Sequence, residues 1–305
     1  MSPGGLSLVV GGDGVVGSAL TRALAAQGQQ VIRTTRRPAS ARDADSPSPR
    51  FLDLASQPPY ALPDGVTRAW LLAATTGVEA CASDPAAARR INVDHTVSLA
   101  GQLLGLGAEV VFASSSLVFD GDHPMPSPEH PARPRTQYGE LKLEAERRLL
   151  SLPGAQGRPG LWVLRLTKVW PTERRGSDLL GDWARELRSG RGVRAFTDRW
   201  VAPLTDAVAA EAMRDLPEVA SPGLWHLGPS DELRYADVAL ELADRLGVAG
   251  ELVQRVDSGA RGGGPGQGPH ASLGSEATWR ALGRRAPSSR DALQAVLARV
   301  VDAAA

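Results

Sequence analysis

Tyr138 and Lys142 stand four residues apart in Tyr138-Gly139-Glu140-Leu141-Lys142, in a chain of 305 residues that has three tyrosines and only two lysines among its 34 basic residues. A composition that otherwise selects arginine has kept an ammonium beside a phenol. An ammonium is a compact charge that can reach a ribose hydroxyl and lower a neighbouring phenol's pKa, whereas guanidinium is a wide planar fork. The pair therefore points to proton transfer. Upstream, Phe112-Ala113-Ser114-Ser115-Ser116-Leu117-Val118-Phe119-Asp120-Gly121 reads as a buried strand ending in hydroxyls. Any of the three serines can hydrogen-bond a reacting oxygen, and such a cluster can equally be structural.

A second group of residues would bind rather than react. Gly11-Gly12-Asp13-Gly14-Val15-Val16-Gly17 contains Gly-x-x-Gly-x-x-Gly, a weak signal by spacing alone in a chain with 33 glycines. Its context supplies the specificity, directly after an N-terminal strand and at the opening of a helix. A tight turn there needs φ > 0 and close backbone approach, and the helix start presents N–H groups to a pyrophosphate. A dinucleotide is expected on Gly11, Asp13, Gly14, Val15, Val16 and Gly17, with an ordinary glycine turn as the alternative. The second strand ends Arg33-Thr34-Thr35-Arg36-Arg37, with no carboxylate in reach of an adenosine ribose. Thr35, Arg36 and Arg37 suit a 2′-phosphate, so NADP(H) is expected ahead of NAD, unless arginine-rich composition alone put them there. Asp53 can accept from the adenine amino group or cap a helix.

The elements that must position these groups alternate as strand and helix through the first half, the rhythm of a parallel sheet covered on both faces. Strands are expected at Leu6–Val10, Gln30–Thr35, Arg50–Leu52, Ala69–Ala74, Glu109–Ala113 and Leu161–Leu166. Helices are expected at Ser18–Gln27, Pro85–Leu104 and Gln137–Leu150. Pro38–Pro49 and Asp122–Arg135 are too polar and broken for regular structure. The second half is less periodic. Helices fit Ser177–Ser189, Thr205–Met213, Tyr235–Leu246 and Ser289–Ala303, with a turn at Arg191–Asp198, a strand at Leu224–Leu227 and a mobile glycine-rich stretch at Ser258–Pro269.

Together these residues resemble the extended short-chain dehydrogenase/reductase family: glycine loop, strand-end serine, then Tyr-x-x-x-Lys, in this order and spacing. More narrowly, Val118-Phe119-Asp120-Gly121, Tyr138-Gly139-Glu140-Leu141-Lys142-Leu143-Glu144 and Leu164-Arg165 resemble the dTDP-4-dehydrorhamnose reductase branch. Ala73-Ala74-Thr75-Thr76 through Asn92-Val93, the Asp198, Pro203 and Thr205 region, and Trp225-His226-Leu227 are similar to it too. The resemblance spans nearly the whole chain and is strongest before Arg165. It implies an α/β fold, a Rossmann-type doubly wound parallel sheet with a smaller C-terminal substrate lobe. Residues 1–170 would bind NADP and 171–305 mainly the substrate, with about 196–228 returning to the first domain. It implies that Tyr138 donates a proton to a substrate carbonyl, that Lys142 holds the nicotinamide ribose and lowers the phenol's pKa, and that Ser115 bonds the same oxygen. Leu54, Ala73, Ala74, Thr75, Asn92 and Leu166 would add to the cofactor site, and Thr76, Ser115, Ser116, Leu117 and Val118 to the substrate site.

The implied activity is NADPH-dependent reduction of a keto group on a nucleotide-activated deoxysugar, at C4 by analogy. A 4-epimerase holding NAD and a non-catalytic dinucleotide-binding subunit are the alternatives. Ser116-Leu117 departs from the branch, which carries Asp-Tyr there, and lacks the Asp-Glu pair with which the related 4,6-dehydratases eliminate water. Arginines 174, 175, 185, 188, 191 and 194 are candidates to clamp a diphosphate, most arginines on such a helix face being merely solvated. Trp170, Trp183 and Trp200 are candidates to stack on a base or sugar, with a core position the commoner role. His226, inside an expected strand, reads as structural.

Composition narrows the classes. Zero formal net charge provides no global field for nucleic acid or an anionic membrane, which leaves a small molecule as the expected partner. Cys81 is the only cysteine, which excludes an internal disulfide and a cysteine zinc site and fits the cytoplasm. No metal site is expected. The apolar start runs at once into glycines, unlike a signal peptide, and no run spans a bilayer. The family resemblance adds a possible homodimer through helices 85–104 and 137–150.

Overall fold

The computed structural model describes residues 5–36, 50–173, 178–261 and 268–302, the side chains of 260 and 261 excepted. Arg37, the Pro38–Pro49 loop, Arg174, Arg175 and 262–267 of the glycine-rich stretch lie outside the described residues. The first half runs β1 (Leu6–Val10), α1 (Val15–Ala26), β2 (Val31–Thr35), β3 (Arg50–Phe51), β4 (Val66–Leu71), α2 (Val78–Ser83), α3 (Pro85–Arg89), a π-helical segment over Arg90–His95, α4 (Thr96–Gly105), β5 (Glu109–Ser115), α5 (Gln137–Leu150) and β6 (Leu161–Leu166). The second half adds β7 (Val169–Trp170), α6 (Leu179–Arg188), β8 (Val193–Phe196), β9 (Trp200–Val201), β10 (Leu204–Thr205), α7 (Asp206–Val219), β11 (Gly223–Leu227), β12 (Leu233–Arg234), α8 (Tyr235–Arg245), β13 (Val253–Val256), α9 (Glu276–Ala281) and α10 (Ser289–Asp302).

Seven strands form one all-parallel sheet in the order β11-β6-β5-β4-β1-β2-β3. Its strands are apolar because helices cover both faces, and all six residues of β6 are buried. The chain runs outward from β1 in both directions, so the loops after β1 and β4 diverge and open a crevice at the carboxyl ends of the strands. Leu72 N–H makes the last rung to Val10 O, at 2.9 Å. Leu72–Ala74, expected as strand, therefore leave the sheet and line that crevice.

A separate core holds the smaller lobe, where α6, α8 and α10 pack around β8 and β13. The stretch expected as a turn at Arg191–Asp198 contains β8, paired in parallel with β13. Leu204 to Leu227 returns to the sheet, α7 packing on α1 and β11 pairing with β6, whereas β9 stays with β12 of the lobe. The helix expected over Pro85–Leu104 is one rod, widened to a π turn at its centre and preceded by the unexpected α2. Among the described residues no helix is long and apolar enough to cross a membrane.

Candidate active site

The amino end of α5 sits against the turn that ends β5. Thr136 caps the helix by accepting from Gly139 N–H at 3.0 Å. A side chain at Gly139 would bring its Cβ within 2.1 Å of Leu117 O, so glycine is what lets Tyr138 approach the serines. Of the three, Ser115 is the one whose side chain acts on the Tyr138 phenol, and it also accepts from Leu117 N–H at 3.2 Å. Ser114 turns away to donate to Glu146, and Ser116 is buried. Lys142, one turn along α5, is buried and donates to Ala113 O at 2.7 Å, its Nζ 5.8 Å from the Tyr138 ring centre. The lowering of the phenol expected from Lys142 is not seen. Burial and then the nearby Cys81 sulfur push the Tyr138 phenol above its ordinary value, and the Ser115 side chain only partly offsets them. A phenol so held is protonated at neutral pH, which is the state of a proton donor. Burial lowers the Lys142 ammonium to about 8, against the opposing pull of Glu146 and Cys81.

Behind this pair runs a buried polar chain that sequence reasoning missed. Arg165 grips Glu146 with two prongs, Nε to Oε1 at 3.0 Å and NH2 to Oε2 at 2.7 Å. Its NH1 faces His226 Nε2 at 3.4 Å, while His226 Nδ1 donates to Gly274 O at 3.2 Å. His226 therefore presents a neutral ring to the guanidinium, as its structural reading requires. Burial, then Arg165, lowers its pKa to about 4. Below about 6.5 the unfolded chain's histidine takes up a proton first, so the stability contributed by neutral His226 is lost as pH falls from 6.5 to 4. The expected loss is about 3 kcal/mol. Urea midpoints between pH 7 and 4.5 should fall more steeply in the wild type than in His226→Asn, and parallel curves would refute this.

The crevice at the carboxyl ends of the strands is a cleft of about 290 Å3 lined by Gly11, Asp13, Gly14, Thr35, Arg36, Asp53, Leu54, Ala73, Ala74 and Thr75. Thr76, expected on the substrate side, lines it too, as do Thr34, Leu52, Leu72 and Ile91, which sequence reasoning did not name. The cleft fits a dinucleotide by two observations. No side chain caps α1 and no acid stands in its first turn, so its start suits an anion. A Cβ at Gly17 would fall 2.2 Å from Gly11 O, a packing demand, whereas one at Gly14 meets nothing nearer than Gly11 O at 3.4 Å. With only that ordinary contact at Gly14, a pyrophosphate can come close to the backbone there.

Besides Tyr138 and Lys142, five of the described residues expected at the cofactor stand outside that lining: Val15, Val16, Gly17, Asn92 and Leu166. Asn92 is buried and spends its amide on Thr75, accepting from Thr75 N–H at 2.8 Å and donating to Thr75 O at 3.0 Å. It shapes the cleft through Thr75. Val15 and Val16 belong to the first turn of α1, and Leu166 is buried at the end of β6. Asp53 Oδ1 accepts from Ala55 N–H at 2.9 Å, a turn rather than a helix cap. One expectation fails outright: a carboxylate is within reach of the end of β2. It belongs to Asp13 of the glycine loop, which accepts from Arg33 NH1 at 2.9 Å and from the Thr35 hydroxyl.

Leu117 and Trp200 share a small cavity of about 40 Å3 with Thr136, Arg199, Tyr235 and His270. Trp200 stacks on His270, ring centres 4.7 Å apart, and Arg234 lies 5.4 Å from its ring. Val118 and Trp170, expected to touch substrate, are core residues. Val118 packs with Phe119, Leu143 and Leu273, and Trp170 with the lobe's core, because both lie on the inner face of their elements. Arg185, Arg188 and Arg191, candidates for a diphosphate clamp, are held by Asp182, by Val300 O and by Glu186. No group of His, Cys, Asp or Glu suited to a metal ion occurs among the described residues.

Comparison with known proteins matches residues 7–301 to the family model described as "RmlD substrate binding domain". A dTDP-4-dehydrorhamnose reductase of Burkholderia thailandensis is 32% identical over 230 residues, 72% of this chain and 71% of that protein. Among solved structures, dTDP-4-dehydrorhamnose reductase of Bacillus anthracis in complex with NADP superposes with a TM-score of 0.79 at 16% identity, covering 96% of this chain and 98% of that one. MoeE5 in complex with UDP-glucose and NAD superposes with a TM-score of 0.81 at 22% identity, covering 99% and 100%. The fold is thus shared by a protein that holds NADP and one that holds NAD.

Proposed function

Since the chain belongs to the RmlD substrate-binding-domain family, of the extended short-chain dehydrogenase/reductase type, it is an NAD(P)-dependent oxidoreductase, and we propose that it reduces the C4 keto group of a nucleotide-activated deoxysugar with NADPH, Tyr138 giving the proton. The observation that carries this reading is Tyr138 one helical turn from the buried Lys142, whose Nζ lies 5.8 Å from the phenol ring centre, in a fold that also carries a cleft of dinucleotide character. The dinucleotide, when bound, supplies the hydride. The chain supplies the rest. Tyr138 donates its hydroxyl proton to the carbonyl oxygen as negative charge develops there, and Ser115 donates a second hydrogen bond to the same atom. Lys142 spends one N–H on Ala113 O and keeps others for a ribose hydroxyl, and its charge steadies the phenolate until solvent returns the proton. Gly14 and the start of α1 would receive the pyrophosphate, and Asp53 the adenine. Leu117 and Trp200 would border the sugar nucleotide.

The test is direct. Purified protein given NADPH and dTDP-linked 4-keto-6-deoxy sugars should consume reduced nicotinamide. Protein that retains tightly bound NAD, and oxidises NADPH with none of them, overturns the reading in favour of an epimerase. The pH profile provides an independent check. With the ammonium of Lys142 at about 8, turnover should be flat below that pH and fall about tenfold per unit above it. Lys142→Arg should be weakly active without that limb, and a wild-type profile flat to pH 10 would remove Lys142 from its role.

A further inference from the structure

The carboxylate of Asp13 occupies the place where the two dinucleotides differ. At the end of β2 a ribose hydroxyl distinguishes NAD and a 2′-phosphate distinguishes NADP. There Asp13 Oδ1 accepts from Arg33 NH1 at 2.9 Å and Oδ2 from the Thr35 hydroxyl. Both side chains of the ion pair remain partly open to solvent, at 25% for Arg33 and 31% for Asp13. The arrangement is built into the backbone: Gly11 N–H donates to Thr34 Oγ1 at 3.2 Å and Gly12 N–H to Thr34 O at 3.1 Å, which fasten the loop to β2 one residue before Asp13.

We propose that Asp13 sets the balance between NADPH and NADH, by engaging the Arg33 and Thr35 donors that a 2′-phosphate would need and by placing a negative charge beside it. A phosphate dianion is attracted by arginines and hydroxyls, and repelled by a carboxylate among them. A ribose hydroxyl meets the opposite situation, because a carboxylate is its natural acceptor. Arg36 also lines the cleft, so phosphate recognition is opposed rather than abolished. NADH thereby stays a competitive ligand.

The inference rests on the dinucleotide reading of this cleft, and direct binding separates the two. Titrating purified protein with NADPH and with NADH, without any sugar, should give wild-type dissociation constants within about tenfold of each other. Asp13→Asn keeps the side chain's shape and removes its charge. It should tighten NADPH by about tenfold or more, as one freed charge-assisted hydrogen bond implies, and leave NADH unchanged or weaker. Arg33→Ala in that background should return the ratio towards the wild type. The ratio guards against a folding defect, which would weaken both ligands alike. Both ligands bound, with a ratio that Asp13→Asn leaves unchanged, overturns the role of Asp13 alone. Binding of neither overturns this inference and the cofactor assignment together.

Discussion

Replacing Tyr138 by phenylalanine is expected to lower turnover by about a thousandfold while dinucleotide affinity changes by less than about twofold. The ring packs against the core beneath β4 and β5, and phenylalanine keeps that packing. Only the hydroxyl is lost, together with its interaction with the Ser115 side chain. Neither Lys142 nor the glycine loop depends on it, since Lys142 is fixed by Ala113 O. The reaction then has no acid at the carbonyl oxygen, and water alone must provide the proton. Steady-state turnover and cofactor titration on the same preparation check both halves. Activity within tenfold of the wild type would assign the proton to another group.

Arg165→Met is expected to destabilise the protein by about 3 to 5 kcal/mol, because Glu146 would lose its guanidinium and keep, among the described residues, only the Ser114 hydroxyl as a direct partner for a buried charge. Arg165 and Glu146 are both almost fully buried, at 4% and 2% exposure, out of reach of bulk solvent. The pair itself need not be a net gain, since an apolar replacement of both members often costs little. The double variant Arg165→Met with Glu146→Leu should therefore recover most of the loss. Chemical unfolding of the three proteins checks this. A single variant within about 1 kcal/mol of the wild type would show that Glu146 finds another partner or takes up a proton.

The alternating apolar strands and helices made the sheet legible in the sequence, and Leu161–Leu166 is the clearest case, six consecutive buried residues with the same bounds in the structure. Tyr138 and Lys142 were legible because helical spacing fixes their relation, and the glycine loop because a strand and a helix flank it. The short strands β7, β9, β12 and β13 were not, since two to four residues carry no period and exist only through their partners. Asp13 was expected at the dinucleotide, but its reach to the end of β2 was missed for a different reason. Acids are sought at the end of β2, and this one arrives from β1 across a turn. Arg165 did carry a signal: a charge inside a wholly apolar strand must be paired, and Glu146, one turn beyond Lys142 in the buried stripe of α5, was the available partner. Val118 and Trp170 were misplaced because a motif shows where a residue stands in the chain and not which way its side chain turns.

The widened turn at Arg90–His95 has a mechanical meaning. Each residue advances a helix by about 100°, so one surplus residue acts as a phase step between the two halves of a rod. Within that turn Asn92 fastens Thr75 and His95 Nδ1 meets Leu54 O at 2.6 Å, two residues that line the cleft. Asp94 meets Arg148 of α5 at 2.6 Å. One stretch of six residues thus addresses the cleft and the helix that carries Tyr138, acting as a gear between them. Shortening the turn by a single residue would rotate one set of teeth out of mesh, moving Thr75 and Tyr138 out of step although neither had been altered.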